Sequence, residues 1–304
     1  SSGSRQTALS STLNWSYELL SEAEQTLFRR LSLFVGGWTA EAARQVGGDD
    51  GQGADEIADL LASLVEKSLV VLRETRQGVR YRYLEMVRQF AAAKLEAFAE
   101  RELIESRFLR WCGELTEELE RGIGRPDQGL CFERIEADLD NFCFAMEGGS
   151  QTPENIDECL RIAGNLWLFW NRKGQLTRGK RYIDLVLERD IERRPTSHRA
   201  KALYGSGNLI GSADDPQART QLSEESLEIY RELGDSAGIV GCLRSLGNAA
   251  FLGDDFPSAR HHFSEALRVS REISDTRGIA HAAGSLALVA EELCELEFAE
   301  SLWE

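Results

Sequence analysis

The 304-residue chain lacks several features that would define its class at once. No apolar run reaches membrane-spanning length and no secretory signal pattern is present, so we expect a cytoplasmic protein without a membrane partner. The six cysteines form no C-x-x-C pair, which predicts reduced thiols of an intracellular protein. Of the four histidines, His261 and His262 are adjacent, so they diverge on a helix and cannot chelate one metal ion together.

No G-x-x-x-x-G-K-[ST] motif occurs, so the chain has no backbone cradle and lysine for nucleotide phosphates. No Ser/His/Asp or Cys/His grouping for nucleophilic catalysis can be assembled either. We therefore expect no enzyme activity, no cofactor and no metal within this chain. Its 51 acidic and 35 basic residues give a net charge of −16, which argues against a surface that binds nucleic acid or anionic membrane as a whole.

The last third of the chain contains one pattern twice, at an offset of 40 residues. Residues 227–239 return as residues 267–279, and apolar and small residues stay in register beyond the match. In the first copy these are Leu243, Leu246, Gly247, Ala250, Ala259, Phe263 and Ala266. A period of this length, with small residues where two helices would cross, predicts stacked helical hairpins. The spacing resembles the tetratricopeptide repeat (TPR), with Ala250 where that family prefers tyrosine.

The first 95 residues have a different pattern. A capping box at Ser21-x-x-Glu24, an N-cap at Thr39 and an amphipathic run over 56–67 predict successive helices. Strand-like runs over 68–72 and 79–83 flank a turn and predict a β-hairpin. Helices followed by a β-hairpin describe a winged helix.

Four segments of this region, 13–20, 24–38, 61–70 and 81–91, resemble the winged helix of STAND-class signal-transduction ATPases of the AfsR, MalT and LuxR-associated bacterial kind. In that class a P-loop ATPase precedes the winged helix and TPR-like repeats follow it. The resemblance covers nearly the whole chain and implies that ATP or ADP binds only in an upstream module. The family's Met-His-Asp motif, whose histidine reaches the nucleotide, is replaced here by Tyr83, Leu84 and Glu85.

Together these patterns predict a mainly α fold, with a winged helix followed by a TPR-like α-solenoid. We expect a tag or linker over 1–4, the winged helix over 5–95, divergent hairpins over 96–195, and repeats of about 40 residues over 196–304. Both ends suggest a piece of a longer protein. We interpret the polar stretch 148–153 as a loop or minor hinge rather than a domain boundary. The tryptophans Trp167 and Trp170 share one helix face; we expect them in a hairpin core, and a ligand cage is the alternative.

The predicted wing is basic, because residues 67–94 carry seven basic and two acidic side chains. Candidate contact residues are Arg73, Arg76, Arg80 and Arg82. They would meet nucleic acid, an upstream nucleotide-binding module or the acidic repeats. In the STAND class that this region resembles, the winged helix transmits conformational changes within the protein instead of reading DNA. Direct DNA contact is therefore the disfavoured alternative.

The first helix of each TPR-like hairpin lines the concave side of the array. Positions expected to face that side hold Tyr204 and Asn208, and 40 residues later Arg244 and Asn248. Their side chains are candidates for binding a peptide, protein or small-molecule effector, although the asparagines could equally cap or bridge helices. We expect the sensor part of a STAND-type regulator; the alternatives are a free-standing TPR scaffold and a DNA-binding winged helix with a helical sensor.

Overall fold

The computed structural model describes residues 11–126, 128–210 and 215–303, without the side chain of Trp303. The tag or linker expected over 1–4 lies outside the described residues. The chain divides into two compact units, Ser1–Asn155 and Ile156–Glu304. In the described part of the chain, no helix combines the length and the apolar character needed to cross a membrane.

The first unit begins with a winged helix. Its elements are α1 (11–18), α2 (Glu22–Arg30), a 3₁₀ turn (Leu31–Leu33), α3 (Ala40–Gly47), α4 (Ala54–Glu66), β1 (Val71–Thr75), β2 (Gly78–Arg82) and α5 (Glu85–Ala97). The predicted capping box at Ser21 and Glu24 is present, and the Thr39 side chain caps α3 as expected. Strands β1 and β2 pair antiparallel around a two-residue turn.

The first strand begins later than the sequence predicted. Ser68 adopts a positive φ of 57°, and the amides of Leu69 and Val70 both donate to the carbonyl oxygen of Leu64. These residues therefore close α4, and their buried side chains belong to the core of the helices. Pairing with β2 starts only at Val71.

Two long helices complete the first unit, α6 (Arg101–Gly122) and α7 (Gln128–Gly149), followed by a 3₁₀ turn (Pro153–Asn155). They form the hairpin that the sequence predicted as the first divergent repeat. The hairpin nevertheless belongs to the same compact unit as the winged helix. The division between the two units follows Asn155, two residues after the stretch 148–153, where we expected a minor hinge and no domain boundary. The boundaries at residues 95 and 195 that we predicted from the sequence separate types of repeat and domain, not compact units. They stay predictions.

The second unit is a stack of helical hairpins. Its helices are α8 (Ile156–Arg172), α9 (Leu176–Arg189), α10 (Ser197–Leu209), α11 (Pro216–Leu233), α12 (Ser236–Leu252), α13 (Phe256–Glu272), α14 (Thr276–Glu292) and α15 (Leu296–Trp303). The aspartates Asp215, Asp235 and Asp255 cap α11, α12 and α13 with their side chains. The predicted mainly α fold, a winged helix followed by a helical repeat, is confirmed.

Small residues let the helices of each hairpin approach. A Cβ atom added to Gly247 on α12 would lie 2.5 Å from the ring of Phe263 on α13. Phe263, Ala259 and Ala266 are buried in one continuous core with Leu243 and Leu246. The periodic residues singled out in the sequence therefore form the interior of the stack, as expected for repeats that bury their faces against one another.

Candidate functional sites on the wing and on the repeats

The wing is fixed to α7 through one arginine. Arg80, on β2, donates to both carboxylate oxygens of Asp138, at 2.6 and 3.1 Å. Asp138 is completely buried. The same guanidinium donates to the carbonyl oxygens of Ala137 and Gly37, at 3.1 and 3.2 Å. A bidentate pair around a buried carboxylate is the strongest geometry available to arginine, so the side chain is committed to this contact.

Asn141 joins the same network from the next turn of α7. Its side-chain oxygen accepts from the Gly36 amide at 2.9 Å, and its amide group donates to the Gly37 carbonyl oxygen at 2.8 Å. Gly37 has a φ of 82°, and a Cβ atom there would lie 2.5 Å from the Tyr81 oxygen. Glycine is therefore required here, where the segment before α3 runs against β2. We name Arg80, Asp138 and Asn141 the wing dock.

The four arginines predicted as wing contacts do not act together. Arg73, Arg76 and Arg82 are exposed, and none has an ion-pair partner among the described residues. Of the four, Arg80 is the one that is ion-paired with α7 among the described residues, so it is not available to an external partner. Sequence reasoning missed Asp138 and Asn141, although two polar residues three apart on an apolar helix face are a usable signal of a buried contact.

The helix before the wing presents acidic side chains to solvent. Exposed carboxylates on α4 are Asp55, Glu56, Asp59 and Glu66, and no lysine or arginine occurs within Ala54–Glu66. The basic residue that ends the helix, Lys67, pairs with Glu24 of α2. In helix-turn-helix proteins the second helix of the motif enters the major groove, where phosphates surround it. Four carboxylates on this helix oppose that docking.

Tyr83, Leu84 and Glu85, which the resemblance aligned with a Met-His-Asp motif, have structural surroundings. The Tyr83 hydroxyl donates to the Phe28 carbonyl oxygen at 2.8 Å, and burial raises the pKa of this phenol well above its usual value. Glu85 accepts two hydrogen bonds from Arg88, which lower the pKa of the carboxyl. Leu84 is exposed at the start of α5. None of these side chains offers the imidazole that the motif uses.

On the repeats, the predicted residues form a strip along the first helices of successive hairpins. Tyr204 on α10 is half-buried, and a Cβ atom at Gly241 of α12 would lie 3.5 Å from its Cζ atom. Burial raises the pKa of the Tyr204 phenol, and the nearby charge of Arg244 opposes that rise. Arg244 is half-buried on α12. The structure thus brings Tyr204 and Arg244 together across two neighbouring helices.

The two asparagines of the strip differ. The Asn208 amide donates to the Tyr204 carbonyl oxygen at 2.8 Å, so part of its hydrogen-bonding capacity is used within its own helix. Asn248 is exposed and has no hydrogen-bond partner among the described residues. This hydrogen bond lies within α10, so it does not show the bridge between helices that the sequence left open. Asn248 offers both groups of its amide to a ligand.

The strip extends one helix further than the sequence analysis proposed. Trp167 on α8 contacts Tyr204 edge-on, with ring centroids 5.2 Å apart, and is half-buried. Asn171 follows Trp167 by four residues and is exposed, repeating the spacing of Tyr204 and Asn208. The predicted core position holds for Trp170, which is fully buried and stacks on Tyr182.

We name the strip the ladder; its members are Trp167, Asn171, Tyr204, Asn208, Arg244 and Asn248. At the same offset α14 carries Gly284 and the exposed Leu288, so the polar pattern ends there. The sequence analysis did not align Trp167 and Asn171 with Tyr204 and Asn208, because the two pairs are 37 residues apart instead of 40.

Comparison with known proteins places the winged helix in a known class. Residues 20–96 match the family model of a winged helix-turn-helix domain. The chain is 33% identical over 254 residues to "Putative HTH-type transcriptional regulator Rv0890c" of Mycobacterium tuberculosis, a match that covers 80% of this chain and 28% of the relative. It is also 33% identical over 118 residues to the uncharacterized protein Rv0894 of that organism, over 38% of this chain and 30% of the relative. The chain spans less than a third of the length of these curated relatives.

Two solved structures are similar to parts of this chain. BtubC (BKLC) from P. vanneervenii is 15% identical with a TM-score of 0.49, over 65% of this chain and 87% of that one. A signal transduction ATPase with numerous domains (STAND) protein with a tetratricopeptide repeat sensor, from Pyrococcus horikoshii, is 16% identical with a TM-score of 0.42, over 94% of this chain and 50% of that one. Likenesses at these TM-scores establish neither a shared overall arrangement nor a shared function.

Proposed function

We propose that this chain is the sensor and relay part of a STAND-type transcriptional or signalling regulator. The winged-helix match and the similarity to an HTH-type transcriptional regulator support the regulatory class. The observation that carries the proposal is the wing dock, in which Arg80 is bound to the buried Asp138 of α7. A wing fixed in this way serves as an internal connection and not as a reader of DNA.

In this proposal the wing and the α6–α7 hairpin move as one body. The dock joins residues 58 positions apart in sequence, and Asn141 adds two hydrogen bonds to the backbone at Gly36 and Gly37. A displacement of α7 would therefore displace the wing. We infer that an effector signal reaches the winged helix through this contact.

The effector binds the ladder in this proposal. Trp167 and Tyr204 offer aromatic surface, Arg244 offers a charge, and the exposed Asn171 and Asn248 can pair with the backbone of an extended peptide. An alternation of aromatic and amide groups suits a peptide or protein segment better than a compact metabolite.

In this proposal the chain itself neither binds nor hydrolyses ATP. The sequence has no phosphate-binding loop, and Tyr83, Leu84 and Glu85 stand where the family has its nucleotide-sensing motif. Isothermal titration with ATP should show neither binding at micromolar concentration nor turnover. Measurable hydrolysis by this chain would refute the assignment of the ATPase to a separate module.

DNA binding is the second candidate, because the exposed Arg73, Arg76 and Arg82 form a basic surface on the wing. Under our proposal, binding to a random duplex is weak and falls steeply with salt, as for non-specific phosphate contacts. Neutralising the three arginines together should reduce that weak binding equally for all sequences. A complex with one preferred sequence that survives 200 mM salt would establish DNA reading and overturn the relay role.

A further inference from the structure

The hairpin turn, α3, α6 and α7 enclose a cleft of about 680 Å³. All its lining residues belong to the first compact unit. Trp111 and Leu119, both buried, and Leu115 and Leu130 supply its apolar lining. The volume is within the range of small-molecule sites, and the cleft is open to solvent on one side.

Charged side chains line the cleft in two groups of opposite sign. Glu114 and Glu118 lie one turn apart on α6, are exposed, and have no ion-pair partner in the described ranges. On the other elements, Arg76 of the hairpin turn is likewise unpaired there, and Arg134 of α7 pairs with Asp138 through Nε at 2.8 Å.

A third acidic residue of the lining is already neutralised. Glu41 of α3 accepts two hydrogen bonds from Arg44, and these lower the pKa of its carboxyl. The charged groups left for a ligand are therefore Glu114 and Glu118 of α6 and Arg76 of the hairpin turn.

We propose that this cleft binds a short apolar peptide with free amino and carboxyl ends. Its ammonium group would pair with Glu114 and Glu118, its carboxylate with Arg76, and its side chains would cover Trp111 and the leucines. A free amino acid carries both charges within one residue, whereas a peptide of two or three residues places them at its two ends. A ligand with one charge would pair with only one of the two charged groups of the cleft.

The cleft adjoins the part of the wing that is tethered to α7. Gln77, beside Arg76 in the turn, donates to the Leu130 carbonyl oxygen at 3.5 Å and to Glu133 at 3.3 Å. A bound peptide would contact this turn, four residues from Arg80. The site is independent of the ladder, and its test does not depend on the ladder's effector.

Calorimetric titration of the chain with the tripeptide alanyl-leucyl-alanine tests the proposal. Its N-acetyl, C-amide and doubly blocked forms each remove one or both charges. We expect the free peptide to bind and each singly blocked form to bind roughly tenfold more weakly, since each loses one hydrogen-bonded ion pair. In the double variant Glu114→Gln with Glu118→Gln, the free and N-acetyl forms should bind alike. In Arg76→Gln, the free and C-amide forms should bind alike.

Two exposed residues outside the cleft provide matched controls. Glu102 lies on α6 and Arg73 on β1. The variants Glu102→Gln and Arg73→Gln should bind all four forms of the tripeptide as the unchanged chain does. Absence of binding by the free tripeptide at millimolar concentration would refute the site. Equal affinity for the four forms, or variants that weaken all four equally, would overturn the assignment of the two charged groups.

Discussion

Arg80 of the wing and Arg244 of the ladder occupy contrasting environments. The first donates four hydrogen bonds, two of them to a carboxylate that no solvent reaches. The second is half-buried beside Tyr204 and has no ion-pair partner among the described residues. A buried and fully paired charge fixes a fold, whereas a charge at the surface without a partner is free to bind.

The contrast teaches that a segment rich in arginine does not by itself show which of its arginines can bind an external partner. The basic wing contains one arginine committed to the interior and three that face solvent, within ten residues. In the acidic repeats, Arg199 is buried and paired with Asp190 and Glu225, whereas the half-buried Arg244 lies on the ladder without an ion-pair partner among the described residues. The following predictions test this difference, ordered from the largest expected effect on stability to the smallest.

Removing the Arg80 side chain should cost the most. The substitution Arg80→Ala leaves Asp138 buried with only Arg134 and Asn141 beside it, which should lower the free energy of unfolding by about 3 kcal/mol. Arg76→Ala, in the same hairpin but exposed, should change it by less than about 0.5 kcal/mol. Hydrogen exchange of the hairpin amides measures both. Equal effects of the two variants would show that the dock is not a stabilising contact.

Glycines on one helix of the repeats provide a second matched pair. A Cβ atom at Gly247 would meet the Phe263 ring at 2.5 Å, so Gly247→Ala should destabilise the second unit by about 1–3 kcal/mol. A Cβ atom at Gly241 would meet Tyr204 at 3.5 Å, an ordinary contact. Gly241→Ala should therefore stabilise α12 by roughly 0.5–1 kcal/mol through helix propensity.

Urea denaturation followed by circular dichroism would measure the expected decrease in the free energy of unfolding for Gly247→Ala and the expected increase for Gly241→Ala. If both alanines destabilise, the close approach at Gly247 does not set the spacing of that hairpin. A stabilising effect at Gly241 would also show that the Tyr204 side of α12 tolerates added volume, as expected of a surface open to a ligand.

Local and periodic features were predictable from the sequence, and long-range polar contacts were not. The caps at Ser21, Thr39 and Asp255 act within three residues, and the 40-residue pattern repeats the same packing at Gly247 and Phe263. Nothing in a single sequence connects Arg80 with Asp138, because no pattern links positions 58 apart. For the same reason the α6–α7 hairpin was predicted as a repeat, although it packs with the winged helix.

Acid should weaken the winged helix through Glu24. Burial opposes ionisation of this carboxyl, but hydrogen bonds from Lys67, Ser63 and the Ser21 amide outweigh it and lower its pKa to about 2. The ionised group therefore stabilises the fold above the unfolded pKa of 4.5, and this contribution is lost as pH falls towards 2. Because Lys67 is 40% exposed, screening limits the expected loss to roughly 1–2 kcal/mol.

Unfolding midpoints at pH 6 and pH 3 measure this contribution. Glu24→Gln should be less stable than the unchanged chain at pH 6 and should lose less stability on acidification. Glu22→Gln, an exposed residue of the same first turn, provides the control and should follow the unchanged chain. Parallel acid profiles for Glu24→Gln and the unchanged chain would assign the acid sensitivity to other groups.

The smallest effect on stability is expected at the ladder, where the effect on binding should be large. The double variant Arg244→Ala with Asn248→Ala removes no core side chain, so its unfolding free energy should change by less than about 0.5 kcal/mol. Binding of a peptide selected from a displayed library on the unchanged chain should weaken at least about tenfold. Two hydrogen bonds, one of them charged, are together worth roughly 1.5 to 4 kcal/mol.

Leu288→Ala, where the polar pattern ends, should retain the affinity. Unchanged affinity in the double variant would move the effector site away from the ladder, and a collapsed melting transition would show that Arg244 and Asn248 hold the repeats together as Arg80 holds the wing.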